Sequence, residues 1–578
     1  MRRLRLRSSS IVGLRLRARV LRPSALIAAF VLAGLVARAA SDDGRASIRR
    51  EDLKEWLTYI ASDDLQGRAV FAAGLGLAAG YIVDHLRNWG VTPAGDSGSY
   101  LQTVRVLGIR AKSHSTVTVQ IGNESRTFND GDAITFPRNS GGKRHLTVNR
   151  VEFVGYGLDV PAEHHVDIGD RDLKDAVVVW LGAEGPKEVD GQKYRLILSQ
   201  RNNYAVDEVH ATASIGPETA GGRGGASQPV APAGGRAAAL PAPDFTTSER
   251  LDKPLAPTVR AKDAFFEFLF SHARTRYDEL KRRASGREPL PSFRLDDVKL
   301  TFDVNVDYET VRTQLTQNVV AIVEGSDPAL KNTYVAFGAH YDHVGYAEGE
   351  IVPGDGRERR TRSPGRITPG AIEDRIWNGA DDDGSGTVAV MALARAFSHG
   401  PRPKRSLLFI WHTGEEVGRY GSLYFADHPT VPIDRIVTQL NIDMIGRNRD
   451  DKPDESNTVY LVGSDRISSE LHAVSRAAND ALPMPLTLDY EFNDPSDSES
   501  LYTRSDHYSY ATKGIPVIFF TTGLHQDYHA NTDEVSKIEF DKLAHVAQLV
   551  YETGVRVANL DHVLVRDNKG ARAGKTTR

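Results

Sequence analysis

Cysteine is absent from all 578 residues. Its absence excludes a disulfide framework, a thiolate-bound metal and a thiol nucleophile. Long hydrophobic runs are also missing, since the apolar stretch Ala25 to Ala37 falls short of the roughly 20 residues that span a bilayer. The first 39 residues contain no Lys, Asp or Glu but nine Arg, and they close on the small-residue pattern Ala37-Arg38-Ala39. This reads as a signal peptide (1–39) with a hint of twin-arginine export in Arg2-Arg3, which predicts a periplasmic or extracellular protein without a stable membrane span after cleavage. Cleavage leaves 63 basic residues against 76 acidic ones, a formal charge of −13, which argues against nucleic acid as a partner. The remaining 539 residues, free of disulfides, need stability from core size alone and predict more than one domain. A composition of 40% hydrophobic and 26% charged residues is that of a soluble globular enzyme.

Hydrophobic spacing divides the chain. Leu53, Trp56, Leu57 and Ile60 keep helical spacing, and a second helix is predicted over 74–89. From about 105 to 305 the pattern shifts to short alternating runs such as Ser115 to Ile121, Val151 to Tyr156 and Asp175 to Leu181. Within that block, Thr212 to Pro257 is rich in Gly, Ala and Pro and is predicted to be a disordered loop. After Asn318 come Thr333 to Ala339, Ser406 to Trp411, Thr438 to Ile442 and Pro516 to Thr521, apolar throughout, as expected of strands buried on both faces. They predict an α/β sandwich with a largely parallel sheet and a helix opening near Ser385 as N-cap. The basic end (561–578) reads as a disordered tail.

Five potential metal ligands, His340, Asp382, Glu416, Asp443 and His529, each follow a short apolar run. Two His and three acidic residues are what a pair of zinc ions sharing one bridging carboxylate requires. Glu415, beside Glu416, supplies a base. Ligands in a parallel sheet bind beyond the carboxyl ends of the strands, where His340, Glu415, Glu416 and Asp443 fall.

The segments His340-Tyr341-Asp342-His343, Asn378 to Gly386, His412 to Glu416, Asn441 to Gly446 and Asp527-Tyr528-His529, in this order, resemble the M28 family of zinc aminopeptidases. Residues 53–104 resemble that family's N-terminal helical start, and 313–558 its catalytic domain. The resemblance implies a three-layer sandwich of the zinc exopeptidase type (45–104 with 306–560) and an inserted, β-rich, protease-associated domain (105–305) marked by Val154-Gly155-Tyr156-Gly157-Leu158. It implies two zinc ions per chain, bridged by Asp382, with His340 and Asp443 on one and Glu416 and His529 on the other. Asp342 would accept the His340 imidazole N–H. Glu415 is read as the general base that takes a proton from the attacking water and returns it to the leaving amine. Tyr528 is read as a donor to the oxyanion of the tetrahedral intermediate. Arg504-Ser505-Asp506-His507 resembles a family segment near the site, with Asp506 behind the ligands. His164, His165, His210, His472 and His545 have no partner pattern and read as structural or solvent-facing. Peptides are the expected substrates, cleaved from the amino end. The alternatives are carboxypeptidase or single-zinc glutaminyl cyclase chemistry on the same fold, or a non-catalytic binding protein. Tyr346 to Trp377, carrying Arg357, Arg359, Arg360, Arg362 and Arg366, reads either as a mobile solvated loop without a role in selection or as a lid that favours acidic substrates.

Overall fold

Leu407, Phe409 and Trp411 bury against one layer of helices, while Leu408 and Ile410, the residues between them, bury against another. A strand with both faces buried must lie in the middle of a sandwich. The computed structural model describes residues 44–218, 241–348 and 364–567. The predicted signal peptide, residues 219–240, residues 349–363 with four of the lid arginines, and residues 568–578 lie outside the described residues. No helix among the described residues is long and apolar enough to cross a membrane.

The main sheet contains β1 (Leu101–Ser113), β2 (Phe245–Ser248), β3 (Val306–Val323), β4 (Tyr334–His340), β5 (Ser406–His412), β6 (Ile436–Ile442), β7 (Thr458–Val462), β8 (Thr487–Asp489) and β9 (Val517–Thr521), in the spatial order β2-β1-β3-β5-β4-β6-β9-β7-β8. Strands β5, β4, β6 and β9 are parallel to one another. The flanks differ from the largely parallel sheet expected. β2, β1, β3 and β5 are successively antiparallel, and β7 is antiparallel to β9. The cause is topological: the chain leaves β1 at Ser113 and re-enters β3 at Val306, which is its ladder partner. A long antiparallel pair is therefore formed with the middle region at its far end.

One face of this sheet is covered by α1 (Arg50–Ile60), α2 (Ala73–Asn88), α3 (Gly386–His399), α5 (Ser469–Asp480) and α7 (Phe540–Ala558). The other carries α4 (Tyr420–Asp427) through Phe425 and α6 (His507–Ala511) through Tyr508 and Tyr510. Three layers result. The predicted N-cap at Ser385 makes no capping bond; its hydroxyl instead donates to the Asp381 carbonyl at 2.8 Å and accepts the Ile445 N–H at 3.0 Å. Asp383 takes the first free amide, accepting the Gly386 N–H at 2.9 Å.

The middle region forms a four-stranded antiparallel sheet, built from strands within 116–148 and Val298–Val304, and a six-stranded sheet that includes Val151–Val154, Val177–Val179 and Ala213–Pro217. Val119, Phe153, Ile215 and Phe302 share one core between them. The loop predicted over 212–257 needs correction. Ala213–Pro217 is a parallel strand of the smaller body, and Phe245–Ser248 closes the edge of the main sheet against Val106 to Ile109. Apolar and β-branched residues such as Ile215, Phe245 and Thr246 find ladder partners there, and pairing overrides the local Gly and Pro content.

Candidate metal centre

Parallel pairing sets His340 level with His412, and Ile442 level with Phe520, so the four strand ends open on one edge. The turns just past those ends carry the expected site residues, and the structure brings them together. His340 Nε2 lies 3.3 Å from Asp382 Oδ1 and 3.7 Å from Asp443 Oδ2. On the far side of the same carboxylate, His529 Nε2 lies 3.1 Å from Asp382 Oδ2 and 2.9 Å from Glu416 Oε2. Asp382 thus stands between two histidines, each backed by a second carboxylate. The Ser505 hydroxyl donates to Asp443 Oδ2 at 2.7 Å.

Three residues depart from the sequence expectation. The His340 ring nitrogen Nδ1 meets the main-chain carbonyl of Asp342 at 3.1 Å, whereas the Asp342 carboxylate is 3.9 Å away. That carboxylate accepts the backbone N–H groups of Glu415 at 3.2 Å and Glu416 at 3.4 Å, and so shapes the turn holding the base. His343, not singled out above, places Nδ1 2.7 Å from Glu416 Oε1 and 4.0 Å from Asp382 Oδ2. Only its position in the same short motif as His340 signalled it. Asp533 accepts the N–H groups of Asp381 and Asp382 at about 3.0 Å and fixes the turn that presents the shared carboxylate. Asp506 faces His412 Nδ1 at 3.4 Å, behind the strand end.

Backbone conformation explains the turn composition. Gly379 has φ +57°, and a Cβ there would sit 2.5 Å from the His343 ring. Arg68, fully buried, donates to the carbonyls of Ile60, Tyr341, Asn378 and Gly379 at 2.6–3.0 Å. It ties the His340 loop to the Asp382 loop from below. Burial pulls its guanidinium down to about 10, which leaves it charged at neutral pH.

The electrostatics fit a cation. Asp342, Asp382, Asp383, Asp443 and the Glu416 side chain crowd one space with little or no solvent access, and Glu415 is half-buried beside them. Burial opposes ionisation of Asp382, yet the His340 and His529 imidazoles hold its carboxyl well below the usual range. Burial lifts Glu415 well above it. Asp382 Oδ2 and His343 Nε2 are buried without a hydrogen-bond partner among the described residues. Two donor triads, His340-Asp382-Asp443 and His343-Asp382-Glu416, have ligand atoms within 4.8 Å of one another. Imidazole nitrogen with carboxylate oxygen is the donor set of zinc. His529 is 35% exposed and forms the open side of the cluster. Tyr528 stacks on it, with ring centroids 4.0 Å apart.

Residues 318–554 match the family model of Peptidase family M28. Leucine aminopeptidase 1 of Trichophyton equinum is 26% identical over 257 residues, covering 41% of this chain and 64% of that protein. Leupeptin-inactivating enzyme 1 of Streptomyces exfoliatus is 32% identical over 155 residues, covering 26% and 31%. Among solved structures, the aminopeptidase from Aneurinibacillus sp. strain AM-1 aligns with a TM-score of 0.42 at 17% identity, over 91% of this chain and 98% of that one. The chain spans less than two thirds of the length of the curated relatives it matches. The matched residues, 318–554, include every candidate ligand of the cluster.

Proposed function

We propose that the protein is an exported metallo-aminopeptidase that removes N-terminal residues from peptides and holds two zinc ions at the Asp382 cluster. The observation that carries this reading is the single carboxylate of Asp382 standing between His340 at 3.3 Å and His529 at 3.1 Å, with Asp443 and Glu416 completing the two sides. His340 and Asp443 would hold one ion, Glu416 and His529 the other, with His343 steadying Glu416. The chemistry such ions supply when bound is polarisation of a carbonyl and acidification of water.

The protein's own groups do the rest. Glu415, on the turn fixed by Asp342, accepts a proton from the attacking water and delivers it to the leaving amine. Tyr528, its ring seated on His529, donates its hydroxyl proton to the oxyanion. The buried walls exclude bulk water, which strengthens both interactions. The middle region (105–305) is read as an inserted, protease-associated-like domain that takes no part in metal binding. The test is metal content, measured beside hydrolysis of matched peptides with free, acetylated and amidated ends. Two zinc ions per chain and cleavage that is lost on N-acetylation are expected. One ion with full activity, or cleavage that survives acetylation, would turn the reading toward the cyclases or the carboxypeptidases.

A further inference from the structure

Arg504 has no role in the reading above, yet it bonds to the hydroxyl of Tyr528, whose ring stacks on a histidine of the cluster. Its Nη2 is 3.2 Å from the Tyr528 hydroxyl oxygen. Arginine can only donate, so the phenol oxygen must accept in this contact, and its own proton is left for another partner. Tyr528 makes no other side-chain hydrogen bond among the described residues. The opposite edge of the guanidinium is held at Nη1 by the Glu499 carboxylate at 3.2 Å and the Glu499 carbonyl at 3.3 Å.

The flanking residues fix Arg504 from both sides. Ser505 bonds to Asp443 of the cluster at 2.7 Å, and the Thr503 hydroxyl donates to Gln200 of the middle region at 3.2 Å. A second strut joins the Ala162 N–H to the Ser496 hydroxyl at 2.9 Å. Three consecutive residues therefore connect the middle region, Tyr528 and a candidate metal ligand.

We infer that Arg504 is a positioning residue that orients the Tyr528 hydroxyl, aiming its proton at the reacting carbonyl and strengthening it as a donor by the adjacent positive charge. The inference rests on Tyr528 serving the oxyanion. A hydrogen bond donated by a cation to the phenol oxygen polarises that oxygen's own O–H and makes it a stronger donor to a developing anion.

A double-mutant cycle on the zinc-loaded full-length protein tests it, with kcat and KM read separately on one free-amine peptide. Tyr528→Phe is expected to lower kcat about 10²–10³-fold. Arg504→Met is expected to lower kcat about 10–100-fold at unchanged KM and unchanged zinc content, and to cause no further loss in the Tyr528→Phe background. Arg504→Lys, which keeps one donor and the charge, should exceed Arg504→Gln in kcat, and this pair carries the cycle if Arg504→Met does not fold. Multiplying losses with a slow Tyr528→Phe, an effect confined to KM, or equal Lys and Gln variants would overturn the role of Arg504 alone. Wild-type kcat in Tyr528→Phe would overturn the oxyanion reading, and this inference with it.

Discussion

Arg68 beneath the metal cluster and Arg201 in the middle region are set in the same way. Both are buried, and each donates to four main-chain carbonyls: those of Ile60, Tyr341, Asn378 and Gly379 for Arg68, and those of Tyr156, Gly182, Ala183 and Leu198 for Arg201. Neither forms an ion pair among the described residues. Burial draws Arg68 down to about 10, opposed by Asp342, Asp533, Asp383 and Asp382, and draws Arg201 down to about 9, opposed by Asp167 alone. Arg201 relies on a ring instead, lying 3.8 Å over Trp180. One clamp therefore belongs to the electrostatics of a functional site, and the other only to a fold. Loops too irregular to pair with each other are joined in both regions by a planar cation with several donors.

The largest expected separation between the regions is in turnover. Glu415→Gln should keep the metal content of the parent protein and lose about 10²–10⁴-fold in kcat, the usual worth of general acid–base catalysis. An unchanged kcat would remove Glu415 as the base. The clamps come next. Arg68→Met and Arg201→Met each leave four buried carbonyls without their donor, and each is expected to cost about 3–5 kcal/mol in denaturant unfolding. Only Arg68→Met should also lower zinc content, because Tyr341 and Gly379 flank the ligand loops. Equal zinc content in both variants would break the comparison.

Two aspartates repeat the contrast on a smaller scale. Asp533 accepts the Asp381 and Asp382 amides, while Asp159 accepts those of Asp167, Ile168 and Gly169 together with the Tyr204 hydroxyl. Asp533→Asn should weaken zinc binding about 10–100-fold in a competition titration. Asp159→Asn should shift the unfolding midpoint and leave the zinc affinity as it was.

What could be read from the chain follows the same division. The strands β4, β5, β6 and β9 were legible because burial on both faces leaves unbroken apolar runs, and the candidate ligands His340, Glu416 and Asp443 could be proposed because each sits at or just past the end of such a run. Arg68, Asp533 and the Asp342 carboxylate left no such trace. Arg68 reaches Asn378 across 310 positions of sequence, and no local spacing encodes a contact of that kind. His343 was hidden differently: two histidines in one four-residue motif differ only in where the turn points them. The edge strand Phe245–Ser248 was masked by the Gly, Ala and Pro around it, although a ladder with β1 was available.

The smallest effect expected separates the regions by pH. His165 lies between Asp167 at 2.9 Å and Glu188 at 3.3 Å, and its side chain is 12% exposed. Burial works against its protonation, but the two carboxylates overcome that and raise it above the ordinary histidine value. A histidine raised in the folded state binds its proton more tightly there than in the unfolded chain. Its contribution is therefore complete below about pH 6.5 and is lost as pH rises through the folded value. The unfolding midpoint of the parent protein should fall between pH 6 and pH 9 by more than that of His165→Gln, with the difference amounting to about 1 kcal/mol or less. The metal cluster is the same in both proteins and cancels in the comparison. Parallel curves for the two would show that the His165 charge contributes nothing to holding Asp159–Val160 against His165–Val166, and the turn would then rest on its ladder pairing and on the bonds accepted by the Asp159 and Asp167 carboxylates.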